Sequence, residues 1–329
     1  MAGVNNHEIS HEIFLHYLET LAQTIEYQEP AIVNSFLQVS TLFFQRRALY
    51  SYYNNSCFVS GGTYDFAYSS GSPIQTPDNS NQNNSNQPFD PTIGSAPALP
   101  PVEGPIISFK DVDLRLGSRF DSTKIQNTSG SYLFLNRLFI GKGGKFDWSM
   151  VGKDMENIYV NFNEYSFNTT NNILLVNNVQ LFNSGKLDFH VDGVFEFRSV
   201  KHDKLSSQFP KFTSLTNTIE LKNLGNNILY TGGYALSGRK FSSRSIDEKP
   251  ATLTYNDGRY KFQTTSKGYT WGDSVIYSDP TAIMIFIDQD TIWHPGVSFS
   301  FWTARQKVRF QRDKGPYKNS LFHNTYHKL

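Results

Sequence analysis

The sequence predicts a mainly β protein: an antiparallel β-sandwich of jelly-roll or Greek-key type, preceded by an α-helical hairpin. Two observations lead to this prediction. Apolar residues recur with a helical period over residues 5–50, whereas from Ile106 onward they alternate with polar residues at a period of two. The alternating runs are rich in aromatic and β-branched residues, and Gly, Asn, Asp and Pro separate them. Two sandwiches in series remain an open alternative, although no internal repeat supports them.

Composition excludes several classes of protein. A chain of 329 residues with 15% aromatic residues can bury a core and does not have the composition of a disordered protein. Its single cysteine, Cys57, excludes an intrachain disulfide framework. A net charge of +1 argues against a polybasic protein that binds nucleic acid or membrane with its whole surface. The sequence contains no run of 18 apolar residues and no secretory signal, which predicts no membrane span and synthesis in the cytoplasm.

Residues 1–53 are predicted to form a helical arm. Asn5 is the expected N-cap of the first helix, and Pro30 is expected in the first turn of the second. In both helices, apolar residues at spacings of three and four align on one face. We expect this face to pack either on the second domain of the chain or on another subunit. The candidate assembly residues are Phe14, Leu18, Leu21, Ile32, Phe36 and Phe43.

The next segment, residues 54–105, is predicted to be a connector. It is rich in Asn, Ser and Pro, and such a tract cannot bury enough apolar surface to fold by itself. Residues 106–329 are predicted to form the sandwich domain, which ends in a basic segment over 305–329.

Turn residues predict two hairpins within the sandwich domain. A type I′ turn at Asp257-Gly258 sets Tyr255 opposite Tyr260 and keeps the apolar side chains on one face. A three-residue loop or bulge over 192–194 likewise keeps the apolar side chains of the flanking strands on one face.

One sequence matches a catalytic motif. His7 and His11 with the intervening glutamate fit H-E-x-x-H, which on a helix places two zinc ligands on one face. A third ligand could come from His16, Glu26 or Glu29. Only six residues precede the motif, whereas an active-site helix needs a supporting sheet. We therefore expect a solvated first helical turn, no cofactor and no enzymatic activity, with a zinc metallohydrolase as the minor alternative.

Other polar clusters are predicted to be structural. The glycine-rich run 141–145 is expected to form a hairpin turn rather than a phosphate cradle, because a strand and not a helix follows it. The carboxylate pairs Asp111 with Asp113 and Asp288 with Asp290 could form a site, but the second pair follows an apolar strand and is expected in a polar turn.

The C-terminal segment is the most strongly charged part of the chain. Over residues 305–329, seven basic residues and one acidic residue give a formal charge of +6. On a strand, the alternating cations would form a basic row that guards a sheet edge, contacts nucleic acid or contacts another subunit. The candidate residues are Arg305, Lys307, Arg309, Arg312 and Lys314.

These features favour a structural, self-assembling subunit. We expect a homo-oligomeric virion protein, of capsid or tail, whose partners are other copies of itself and neighbouring structural proteins, with nucleic acid as a further partner of the basic segment. Its location would then be the virion or another assembled particle. The main alternative is a ligand-binding or carbohydrate-binding β-sandwich, in which tryptophans supply stacking faces. The candidate tryptophans are Trp148, Trp271, Trp293 and Trp302.

Overall fold

A computed structural model confirms the predicted fold class, with mainly antiparallel strands and two N-terminal helices. The structure describes residues 9–71, 103–117, 122–198, 207–221, 223–272, 274–311 and 321–324. Within these ranges, no helix is long and apolar enough to cross a membrane.

The two helices are α1 (His11–Tyr27) and α2 (Pro30–Arg46). Ser10 is the N-cap of α1, because its backbone is extended and its hydroxyl accepts a hydrogen bond from the Ile13 amide. The predicted N-cap, Asn5, is therefore wrong. Pro30 lies in the first turn of α2 as predicted, and α2 ends where Arg47 adopts a left-handed conformation.

Twenty-two strands are found among the described residues. The first eleven are β1 (Ala48–Tyr52), β2 (Asn55–Ser60), β3 (Thr63–Ser70), β4 (Glu103–Gly117), β5 (Ser122–Leu133), β6 (Leu138–Lys142), β7 (Lys145–Asp147), β8 (Ile158–Asn161), β9 (Glu164–Asn168), β10 (Ile173–Asn183) and β11 (Val191–Arg198). The others are β12 (Lys211–Ser214), β13 (Ile219–Glu220), β14 (Ile228–Gly232), β15 (Ala235–Ser237), β16 (Lys240–Ser242), β17 (Ala251–Asn256), β18 (Lys261–Ser266), β19 (Thr270–Trp271), β20 (Val275–Ile287), β21 (Asp290–Trp302) and β22 (Lys307–Gln311).

The chain divides into two compact units. Unit 1 comprises Met1–Phe146, Asn161–Asn177 and Arg198–His202. Unit 2 comprises Asp147–Val160, Asn178–Phe197 and Asp203–Leu329. These bounds differ from the predicted arm, connector and sandwich, because α1, α2 and β1 to β6 belong to one unit and the later strands are divided between the two units.

In unit 1, the long strand β4 pairs on one side with β2 and β3 and on the other with β5. The prediction of a connector from residue 54 is therefore wrong where β2 and β3 form, because both pair with β4 in this sheet. The Asn-rich part of the predicted connector, residues 72–102, lies outside the described residues.

An aromatic and aliphatic row crosses the sheet of unit 1. The strand register places Phe66, Ile107, Tyr132, Phe139 and Phe167 next to one another on five strands, and all of them are buried. Such cross-strand neighbours are the main stabilising contacts of a sheet. The row forms the core of unit 1, on which the helices pack.

In unit 2, β20 pairs with a different strand in each of its two parts, and β21 lies on its other side. The first part of β20 pairs with β19 and the last part with β18, and a bulge between Ser278 and Ile283 separates the two parts. Strands that bend at bulges form the corners of sandwiches. Ring contacts join strands that do not pair with each other: Tyr230 of β14 lies 5.2 Å from Trp271 of β19, and Phe262 of β18 lies 5.7 Å from Phe310 of β22.

The hairpin formed by β17 and β18 exists, but its predicted register is wrong. Tyr255 pairs with Phe262 and Asn256 with Lys261, so four residues (257–260) rather than two form the loop. The reason is the Asp257 carboxylate, which accepts hydrogen bonds from the amides of Arg259 (2.9 Å) and Tyr260 (2.6 Å) and so closes a wider turn. The shift is by two residues, so the apolar face is preserved.

Two other predicted turns are also wrong. β11 runs straight through Gly193, where a Cβ atom would lie 2.3 Å from the Phe212 ring, so glycine serves here for close packing rather than for turning. The glycine-rich run 141–145 is not a hairpin, because β6 and β7 on either side of it both pair with β5.

Replacing Phe36 tests how much the helices contribute to unit 1. Its side chain is fully buried and its ring lies 4.7 Å from that of Phe134. We expect Phe36→Ala to lower the free energy of unfolding by about 3–5 kcal/mol, whereas Leu175→Ala, at an exposed position of β10 in unit 1, should change it by about 0.5 kcal/mol or less. Urea unfolding followed by circular dichroism at 222 nm measures both. Equal effects of the two variants would contradict this packing.

Candidate association surface on helix α1

Tyr17 determines which face of α1 is buried. Its ring lies 5.5 Å from Phe36 and 5.1 Å from Phe44, both on α2, and 5.2 Å from Phe66 on β3. Edge-to-face and stacked pairs at these distances add to the stabilisation that burial gives. The ring therefore joins both helices to the sheet and fixes the rotation of α1 about its axis.

The rest of the buried face consists of small polar residues. Thr20 and Thr24 lie one and two turns beyond Tyr17 and are 2% and 0% exposed. Their hydroxyls donate hydrogen bonds to the carbonyl oxygens of His16 (2.7 Å) and Thr20 (2.6 Å), so the polar groups are satisfied within the helix. Short side chains allow α1 to lie close to the sheet.

Two polar contacts hold α1 to β3. His16 Nδ1 lies 2.8 Å and 2.9 Å from the two carboxylate oxygens of Asp65, and Gln28 Nε2 donates a hydrogen bond of 2.8 Å to the Tyr68 hydroxyl. The hydrogen bond to Asp65 and the negative charge of Asp65 raise the pKa of His16 above its usual 6.5, although slight desolvation opposes them. Glu19 and Glu12 raise it further.

The docking of Tyr17 leaves an apolar stripe of α1 exposed to solvent. Phe14, Leu15 and Leu18 are 44%, 44% and 42% exposed, and Ile25 is 60% exposed. At about 100° per residue, these four side chains lie on one side of the helix, roughly 130° away from the threonine face. We call Phe14, Leu15, Leu18 and Ile25 the α1 stripe. A contiguous exposed apolar patch of this kind is typical of an interaction surface.

The structure divides the six predicted assembly residues. Phe14 and Leu18 belong to the α1 stripe, and Leu21 and Ile32 are half-buried. The prediction is wrong for Phe36 and Phe43, which are fully buried and pack on the aromatic residues of unit 1. The prediction omitted Leu15, because its position falls outside the spacing used to define the stripe.

The surface around the α1 stripe is acidic. Residues 9–45 contain four glutamates and no lysine or arginine, which gives a formal charge of −4 with histidine neutral. Glu12, Glu19 and Glu26 lie on the exposed side of α1. Apolar contact through the stripe would therefore bring like charges together at its edge.

The H-E-x-x-H motif lies only partly within the described residues. Of its two histidines, His11 is the first residue of α1 and follows an extended Ser10. His7 itself lies outside the described residues, and His16 is bound to Asp65. The described part of the chain contains no group of three or more residues that could hold a metal ion.

Three predicted basic residues lie near a sheet edge. Lys307 and Arg309 are exposed on β22, whereas Arg305 lies in a 3-10 turn before it and not on the strand, so the predicted row of three is wrong by one residue. Arg312 and Lys314 lie outside the described residues.

The carboxylate pairs do not form shared sites. Asp113 binds Lys124 Nζ (3.0 Å) and accepts a hydrogen bond from the Asn127 amide, whereas the Asp111 amide donates to Ser129. Asp288 lies in the two-residue turn that joins β20 to β21, as predicted.

The tryptophans supply little free stacking surface. Trp148 is fully buried, and Trp271 and Trp302 are partly buried. Trp293 is 42% exposed, but its ring stacks on the His323 ring at 4.4 Å. Since a sugar needs an open aromatic face, this arrangement does not favour the carbohydrate-binding alternative.

Comparison with known proteins gives no family or relative: no protein-family model, curated protein or solved structure matches the chain. The α1 stripe, the acidic residues beside it and the basic strand β22 are therefore the features from which a function is inferred.

The contact between His16 and Asp65 predicts a pH dependence for the docking of α1. A raised pKa in the folded state means that the stabilisation is fully present below pH 6.5 and is lost as pH rises through the raised value. We expect the amides of α1 to exchange with solvent faster at pH 8.5 than at pH 6, after correction for intrinsic exchange. Hydrogen exchange with mass spectrometry measures this. His16→Gln should abolish the difference in exchange rate between the two pH values. An unchanged difference in that variant would contradict the assignment of the pH dependence to His16 and Asp65.

Proposed function

We propose that this protein is a structural, self-assembling subunit whose copies associate through the α1 stripe. The observation that supports the proposal is the exposure of Phe14, Leu15, Leu18 and Ile25 on a helix whose opposite face is already docked. These side chains gain stability only when another surface covers them. Association with further copies or with neighbouring structural proteins would provide that surface.

The expected strength of the contact follows from its size. Complete burial of a leucine side chain contributes about 1.5–3 kcal/mol, so a leucine that is already half-buried gains about 1 kcal/mol. Four such side chains can form the centre of an interface, but a stable contact needs roughly 800 Å² from each partner. We therefore propose that the stripe is the apolar centre of a wider contact.

Within this class we propose a subunit of a virion shell or tail. The antiparallel sandwich of unit 2 and the helical layer of unit 1 support it by analogy of architecture alone. We propose no enzymatic activity for this subunit.

Adding charge to the stripe tests the proposal. We expect the native protein to elute as a defined multimer and the double variant Leu18→Glu, Ile25→Glu to elute as a 37.5 kDa monomer, because two carboxylates would have to be desolvated in the contact. Light scattering after size exclusion measures the mass, and circular dichroism confirms that α1 remains helical.

Two matched variants serve as controls for that experiment. Gln23→Glu adds a charge to α1 away from the stripe, and Leu175→Glu replaces a leucine that is 57% exposed on β10. Both should assemble as the native protein does. A native protein that is monomeric at every concentration, or a double variant that still assembles, would refute the proposed surface.

Salt should strengthen this association. The glutamates beside the stripe repel one another when two copies meet, and salt screens that repulsion while leaving the apolar contact intact. We expect the dissociation constant of the self-association to fall several-fold between 50 mM and 500 mM NaCl. Sedimentation equilibrium measures it. A dissociation constant that rises with salt would show that attraction between opposite charges drives assembly instead.

A further inference from the structure

The outer face of β20, β21 and β22 combines cations with aromatic rings. In the described part of the chain, β22 pairs with β21 alone and so forms a sheet edge. Its Phe310 side chain points into the core, where its ring lies 5.7 Å from that of Phe299. Because side chains alternate along a strand, Lys307 and Arg309 point outward, and both are exposed.

The strand register places aromatic residues on the same face. Lys307 is opposite Trp302 on β21, and Arg309 is opposite Ser300. On the next strand, Tyr277 is opposite Ser300 and is 46% exposed. Strands are about 4.8 Å apart, so Tyr277 and Arg309 lie about 10 Å from each other across the face.

The charge on this face is positive. Arg305, Lys307 and Arg309 form no ion pair with any carboxylate in the described ranges. An acidic residue on the aromatic side is Asp279, which accepts a hydrogen bond of 3.4 Å from the Tyr277 hydroxyl. Together, the three cations and Asp279 carry a formal charge of +2.

We propose that this face binds single-stranded nucleic acid. Outward residues two apart on a strand are about 6.8 Å from each other, so Lys307 and Arg309 can contact successive phosphates of one strand. Tyr277, which is 46% exposed, then offers ring surface on which an unpaired base stacks, as in other single-strand binding surfaces. A duplex would contact the cations but has no free base faces for the ring.

A second copy of β22 is a poorer occupant of this edge. Antiparallel pairing of two β22 strands would place lysine and arginine side chains opposite one another, and like charges opposite each other destabilise a sheet. The proposed nucleic-acid contact does not depend on the α1 stripe. It can therefore be tested in the native protein and in the Leu18→Glu, Ile25→Glu variant alike.

Fluorescence anisotropy with a labelled 20-nucleotide thymidine oligomer tests the proposal. At 50 mM NaCl we expect saturable binding that weakens steeply by 200 mM, because each phosphate contact lowers the slope of log K against log salt concentration by about 0.7. The oligomer annealed to its complement should bind at least tenfold more weakly.

Substitutions distinguish binding at the proposed face from attraction to positive charge anywhere on the protein. Lys307→Gln with Arg309→Gln should weaken binding about tenfold and reduce the salt slope by about 1.4. The control pair Lys240→Gln with Arg259→Gln removes the same charge from exposed positions elsewhere in unit 2 and should change little. Tyr277→Ala should weaken binding about tenfold, whereas Tyr277→Phe retains the ring and should bind as the native protein does.

Several results would overturn the proposal. One is the absence of binding at 50 mM NaCl, and another is an equal loss in the control pair. Equal affinity for the duplex, or unchanged binding in Tyr277→Ala, would show attraction to any polyanion rather than recognition of a single strand. Competition by polyglutamate as strong as that by unlabelled oligomer would also show attraction to any polyanion.

Discussion

The contact of Tyr17 with Phe36, Phe44 and Phe66 is the constraint that sets the surface of this molecule. It joins α1, α2 and β3 at one ring and fixes the rotation of α1. Thr20 and Thr24 can then be buried at little cost, because their hydroxyls bond to the helix backbone. A rotation that buried Leu18 instead would turn Tyr17 and its aromatic contacts toward water.

The chemistry of the surface follows from that constraint. The α1 stripe is apolar, and the residues beside it are acidic, so contact between copies combines apolar attraction with repulsion that salt can screen. On unit 2, β22 has the opposite charge and lies beside aromatic residues. One chain thus carries two surfaces of different chemistry, which suits a subunit with more than one kind of contact.

Periodicity predicted the elements better than it predicted their contacts. Both helices and the long strands β4 and β21 follow from spacing alone, and the order of α and β regions could be predicted. The buried face of α1 could not, because apolar spacing favours Leu18 and Ile25, whereas the choice depends on where Phe66 lies in the folded sheet. The predicted strand registers and turns were wrong for a similar reason. Asp257 accepts hydrogen bonds from two amides in its turn, and Gly193 packs against the Phe212 ring. Neither contact can be predicted from the spacing of residues in the sequence.

Thiol labelling of α1 tests the central claim most directly. The native Cys57 is buried, and burial raises its pKa to about 12, so a cysteine introduced on α1 would report without interference. For Leu18→Cys, we predict rapid labelling by a maleimide in dilute solution and protection at concentrations where the protein assembles. For Thr20→Cys, we predict slow labelling in both conditions. Rapid labelling at position 20, or a rate at position 18 that does not change with concentration, would contradict the proposed docking and association of α1.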